Sequence, residues 1–181
     1  MKILDSKEVF EMVISIFVIA LIFSLPSIYK FLIYLFATIF AFVLHEFAHK
    51  FTAIKLGYFA KYKANFKYLG LSLIVSALFS FTPFHLKFVI PGAVLIYGYK
   101  YNLTRKNVVW ISLAGPLTNL LIALIFLELP FTFAPLMVKI NSFLAFFNLL
   151  PIQPLDGSKI FEWKPWLAIL LLFISLFLWY I

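Results

Sequence analysis

Residues 31 to 44 read FLIYLFATIFAFVL, without one charge, and lead directly into His45-Glu46-Phe47-Ala48-His49. An apolar run of this kind predicts a helix that sits in lipid. Ionisable side chains at that depth are expensive and mark function. Whatever fold the chain takes must accommodate two imidazoles and a carboxylate at the end of an apolar span.

Composition points the same way. Of 181 residues, 65% are hydrophobic and 12% charged, against about 45–50% and about 25% in soluble domains. We expect an all-α, multi-pass integral membrane protein in which residues 1–181 form a single domain. The polar N-terminus, MKILDSKEVF, precedes an apolar run from Val13 to Leu25 that lacks a small-residue cleavage site, so it reads as a retained first span. The net charge of +8 does not imply nucleic acid. The lysines fall between apolar runs, as the positive-inside rule requires, and the partner they suggest is the bilayer. Cysteine is absent, so any metal must be held by histidine and carboxylate. No internal repeat is visible.

Apolar runs at about 9–29, 31–54, 69–84, 108–128, 134–150 and 166–181 predict five to six transmembrane segments. The run Leu69–Phe84 is short. After it, Phe88-Val89-Ile90-Pro91-Gly92-Ala93-Val94-Leu95-Ile96 is β-branched and broken by Pro-Gly, which predicts a small membrane-embedded β hairpin or sheet, with strands around a turn, between the HEFAH helix and the GPLTN helix. Placing the N-terminus in the cytoplasm puts Lys50, Lys55, Lys61, Lys63, Lys67, the basic stretch Lys100 to Lys106, Lys159 and Lys164 on the cytoplasmic side, leaving Lys30 and Lys139 outside. Residues 57 to 107 then start and finish in the cytoplasm, as either two short crossings or a re-entrant insertion requires, and Pro91-Gly92 favours the insertion.

His45 and His49 share one helix face, in the pattern His-Glu-x-x-His that lets two imidazoles reach one zinc ion. A catalytic zinc takes three protein ligands and keeps one position open. The candidates for the third are Asp5, Glu8, Glu11, Glu128, Asp156, Glu162 and His85. Asp156 stands out among them. It follows a span running back to the cytoplasmic face, and Pro154 and Gly157 shape a turn around it. Asp-Gly also occurs as a plain turn. Glu46, beside the metal pair, is suited to take a proton from the attacking water and return it to the leaving amine. Asn119, in the apolar span 108–128, could donate an amide N–H to the oxyanion, or could serve as an interhelical hydrogen-bond partner. Gly115 and Pro116 read as packing residues at a helix start.

Three motifs together, HEFAH at 45–49, AGPLTN at 114–119 and NLLPIQPLDG at 148–157, make the chain resemble the site-2 protease family of intramembrane zinc metalloproteases. The likeness covers about residues 31–160. It implies that His45, His49 and Asp156 hold one Zn2+ per chain and that Glu46 is the catalytic acid/base. It also implies that Asn119 and Asn148 position substrate or the oxyanion, and that membrane-embedded strands lie between the first two core helices. Such proteases cleave single-span membrane proteins within the bilayer. The Pro91-Gly92-Ala93-Val94 segment is similar to that of short prokaryotic, especially archaeal, members, which implies a prokaryotic cell membrane. Many relatives carry a PDZ or CBS module, for which this sequence has no space. A zinc or proton transporter and a catalytically inactive, membrane-protein-binding relative are the competing readings. The first would show repeated halves and the second would lack Glu46 or a ligand.

Overall fold

The structure, a computed structural model, describes residues 4–83, 86–97 and 103–181. The chain order is α1 (Ser6–Ser24), a 3-10 turn (Ile28–Lys30), α2 (Phe31–Lys55), β1 (Phe59–Ala64), α3 (Phe66–Ser80), β2 (Gly92–Tyr97), α4 (Arg105–Leu127), α5 (Ala134–Asn148), α6 (Asp156–Phe161) and α7 (Pro165–Tyr180). The fold is mostly helical, and β1 and β2 form one small antiparallel sheet. Among the described residues, two helical stretches, Ile28–Lys55 and Arg105–Leu127, are long and apolar enough to cross a membrane. The chain divides into two compact units, Met1–Phe40 with Lys61–Leu95, and Ala41–Ala60 with Ile96–Ile181.

In the first unit, irregular backbone is satisfied by side chains. Asp5 caps α1 by accepting from Glu8 N at 2.7 Å. The polar face of α1 then lies along β1. Glu8 accepts from Tyr62 N at 2.9 Å, Glu11 from Ala64 N at 2.8 Å, and the Ser15 and Tyr62 hydroxyls share a bond of 2.8 Å. Two carboxylates thus occupy strand donors that would otherwise go unpaired in an apolar setting. On α3, Ser72, Ser76 and Ser80 recur every four residues and are fully buried. Ser72 Oγ accepts from Ile90 N, Ser76 Oγ accepts from Phe88 N, and Ser80 Oγ accepts from Lys87 Nζ, all at 2.9 Å.

These serines explain why the expected hairpin around Pro91-Gly92 does not form. Residues 86–91 form no regular element and are bonded to α3, and Pro91 O accepts from Asn65 N at 2.9 Å. The strand begins only at Gly92, where a Cβ would clash with Lys63 O and Ala64 Cα of β1. Its partner is the lysine-bearing stretch Phe59-Ala60-Lys61-Tyr62-Lys63-Ala64, in which Ala60, Tyr62 and Ala64 are buried in alternation. In chain order the strands of the sheet therefore fall between the two motif-bearing helices, with α3 between them in sequence. His85 and Lys100 fall outside the described residues.

In the second unit, α4, α5, α6 and α7 share one apolar core. Val109, Leu113 and Leu120 of α4, Val138 of α5, Ile160 of α6 and Leu171 of α7 are among its members. The other helix faces remain apolar and exposed, as at Leu121, Phe173 and Phe177. Patches of this extent are unusual on a water-soluble monomer. The α2 helix ends in a left-handed glycine: Gly57 has φ 85°, Gly57 N donates to Ile54 O and Tyr58 N to Ala53 O, each at 3.0 Å. This Schellman arrangement terminates the helix one and a half turns past His49 and starts β1.

Candidate metal centre

Every residue of this centre belongs to the second unit. The α2 helix supplies His45, Glu46 and His49, on one side of its last turns, all at most 6% exposed. Asp156 is the first residue of α6. The chain reaches it through Pro151 and Pro154, which rule out a continuous helix from α5. At position 157 a Cβ would overlap the Leu149 carbonyl and Leu150 O. Glycine there lets α6 start close against the end of α5 and so fixes where Asp156 sits.

The three donor atoms converge. His45 Nε2 and His49 Nε2 are 3.0 Å apart, and Asp156 Oδ2 lies 3.0 Å from His49 Nε2 and 3.6 Å from His45 Nε2. Ligands about 2.0–2.1 Å from a tetrahedral zinc are separated by about 3.3 Å, so this triangle matches the edge length such an ion requires. The other Asp156 oxygen, Oδ1, faces Lys159 Nζ at 3.6 Å.

Two hydrogen bonds set the imidazole tautomers. His49 Nδ1 donates to Ile111 O of α4 at 2.6 Å. His45 Nδ1 donates to Asn119 Oδ1 of α4 at 2.5 Å. With both Nδ1 atoms protonated, both Nε2 lone pairs face the centre, which is how protein imidazoles are prepared for a metal. Pro116 lies within α4 rather than at its start. It cannot donate to Ser112 O and loosens the preceding turn, next to the Ile111 carbonyl that accepts from His49. Gly115 lies against the imidazoles themselves: a Cβ there would fall on His49 Nε2 and on the His45 ring. Glu46 Oε2 is buried with no hydrogen-bond partner. A carboxylate oxygen is not left bare in a core without a use.

The other acids are engaged elsewhere. Asp5 pairs with Lys61, and that hydrogen bond lowers its pKa. Glu8 and Glu11 bond β1, while Glu128 and Glu162 end α4 and α6. Among the described residues, His45, His49 and Asp156 form the group able to hold a metal ion.

Asn119 has a different surrounding from that of a free oxyanion donor. Its Nδ2 donates to Ala41 O and to Asn141 Oδ1, both at 2.9 Å, so both amide hydrogens are taken. Asn148 donates through Nδ2 to Leu144 O of its own helix at 2.9 Å and is half-buried. The structure brings it no bond to the ligands. Asn141 was missed by sequence reasoning. Its signal was an amide in the middle of a largely apolar helix, where polar groups are placed for a partner.

No family model matches the chain, and no solved structure matches it. A protein of Methanocaldococcus jannaschii named "Putative zinc metalloprotease" is 38% identical over 174 residues, covering 90% of this chain and 87% of its own length. With identity at that level along nearly the whole of both chains, the protein belongs to the zinc metalloprotease family.

Proposed function

We propose that the chain is an intramembrane metalloprotease of the site-2 type, holding one Zn2+ on His45, His49 and Asp156. Its reaction is hydrolysis of a peptide bond in or near the transmembrane segment of a single-span membrane protein. The observation that carries this reading is the convergence of those three donors beside Glu46, whose buried Oε2 has no hydrogen-bond partner among the described residues, at the end of a helix apolar enough to cross a bilayer. Residues 1–181 then act as one integral membrane protease domain with its catalytic core at about 31–160. The helices α1, α2, α4, α5 and α7 cross, and α3 with residues 86–91 inserts from the cytoplasmic side. The N-terminus is cytoplasmic in a prokaryotic cell membrane, and the centre lies nearer that face.

When bound, zinc supplies Lewis acidity that acidifies water and polarises the scissile carbonyl. The chain's residues do the rest. Asp156 contributes the anionic donor, and the tied Nδ1 atoms hold both histidines in the ligating tautomer. Glu46 accepts the proton of the attacking water and delivers it to the departing amine nitrogen. Burial of Glu46 removes competing solvent. Asn119 acts on the centre through His45. Asn148, bonded through its amide nitrogen, keeps its oxygen to accept from a substrate N–H.

The test uses the purified chain in detergent with a single-span test protein and a water-soluble unfolded polypeptide. Cleavage is expected within the span of the first, to disappear on chelation, and to return on adding Zn2+. Cleavage of the soluble polypeptide alone, or cleavage indifferent to chelation, rejects the reading.

Substrate must be unwound before its carbonyls can be attacked, because a helix keeps them bonded. The outer edge of β1 is closed by Glu8 and Glu11, which leaves the outer edge of β2 for β-addition of the extended segment. Proline at those positions of 93–96 whose N–H points away from β1 removes one donor while sparing the sheet. We expect cleavage to fall about five- to tenfold with zinc content unchanged. Full activity in every such variant would exclude the β2 edge as the clamp.

A further inference from the structure

A single direction of hydrogen bonding runs through three helices into the metal centre. It begins at Met137 O on α5. A backbone carbonyl can only accept, so Asn141 must present its NH2 there, and Asn141 Nδ2 donates to Met137 O at 2.8 Å. The Asn141 amide is thereby oriented with Oδ1 toward α4, where it accepts from Asn119 Nδ2 at 2.9 Å. Asn119 also donates to Ala41 O, a second partner that can only accept. Two acceptors on one side of the Asn119 amide leave its oxygen on the other, where it meets His45 Nδ1 at 2.5 Å. An oxygen at that place admits one imidazole tautomer, with the proton on Nδ1 and the lone pair on Nε2.

We propose that Asn141 is a positioning residue for the metal centre: through Asn119 it fixes the plane and direction of the amide that sets the His45 tautomer. The proposal rests on His45 being a zinc ligand. Asn119 and Asn141 are both fully buried, so water cannot substitute for either partner. Ala41 O alone holds one Asn119 hydrogen but leaves the amide free to swing about that bond. The Asn141 oxygen is the second point that fixes it. Outer partners of metal-bound histidines are worth about ten- to a hundredfold in affinity. A residue one bond further out, with Ala41 O still in place, belongs at the lower end.

The structure also provides an internal control. His49 is oriented by Ile111 O and has no bond to either asparagine. A general loosening of the helices would disturb both histidines, whereas loss of this relay disturbs His45 alone.

The experiment compares wild type, Asn141→Leu and Asn141→Asp as full-length protein in detergent, by zinc competition against a chelator and by 15N-histidine spectra of the zinc-loaded forms. Leu has the branched heavy-atom skeleton of Asn, with methyl groups in place of the amide oxygen and nitrogen, and no hydrogen-bonding atoms. Its variant is expected to show a zinc dissociation constant about tenfold higher and faster exchange of the His45 Nδ1 proton, with the His49 Nδ1 proton unchanged. Buried in this core, the Asp carboxyl is neutral, donates to Met137 O, accepts from Asn119, and restores both values. Unchanged affinity and His45 exchange in the Leu variant would overturn the proposal, as would equal disturbance of both histidines without rescue by Asp. Failure of wild type to bind zinc would instead refute the ligand set itself.

Discussion

Glu46→Gln is expected to retain one zinc per chain and to lower the rate of cleavage of a single-span substrate by about 10²- to 10⁴-fold. Both halves of that expectation come from geometry. The donors converging on the ion are His45, His49 and Asp156, and none belongs to Glu46. Gln keeps the shape of the side chain, the α2 helix and the Nδ1 bonds of the two histidines. It removes the ability to accept a proton from water. Among the described residues Glu46 Oε2 has no hydrogen-bond partner, so the substitution takes no structural bond from that atom. Elemental analysis and a cleavage time course on the same preparation separate the outcomes. A variant that has lost its zinc would make Glu46 part of the ligand sphere, and one that cleaves at the wild-type rate would remove it from the mechanism.

The part of this architecture legible in the sequence was the part written in local patterns. HEFAH announces two imidazoles on one helix face through a four-residue spacing, and the LDG turn places a carboxylate after a proline-ended span. Both depend on short-range geometry that one sequence carries. The sheet was harder. Its strands are separated by α3, so the pairing of 59–64 with 92–97 is a tertiary fact. The alternation of Tyr62 and the alanines with Lys61 and Lys63 is visible in the sequence, but there the lysines serve only as signals of the cytoplasmic side. The segment 86–91 misled in the opposite direction. Its β-branched residues suggested a hairpin, yet its backbone bonds go to Ser72 and Ser76, serines that in sequence look like filler in an apolar helix. Asn119 stands out through its motif, with two readings open, and nothing local shows that Ala41 O and Asn141 take both its amide hydrogens. Asn141 belongs to no motif and becomes meaningful only once α4 and α5 are packed together.

Asp156→Ala tests the one ligand that local pattern does not tie to the others, since it comes from a helix more than a hundred residues beyond His49. Removal of an outer hydrogen-bond partner weakens a zinc site by about ten- to a hundredfold. Removal of a direct anionic donor must exceed the upper end of that range. We expect zinc affinity to fall by more than about a hundredfold, so that protein purified through a mild chelator carries little or no metal. The loss should be local. Gly157 continues to let α6 pack against the Leu149 carbonyl, and Ile160 remains in the core of the second unit. Thermal unfolding of the metal-free wild type and variant should therefore differ little, while zinc raises the unfolding temperature of the wild type alone, as a ligand bound only by the folded state does. Asp156→Asn keeps the shape of the turn and replaces the charged oxygen with a neutral carbonyl, so its affinity should lie between the two. Unchanged zinc stoichiometry and affinity in the alanine variant would show that the carboxylate 3.0 Å from His49 Nε2 is an ion-pair partner of the histidines and not a ligand, leaving the centre with two protein donors and no basis for the hydrolytic mechanism.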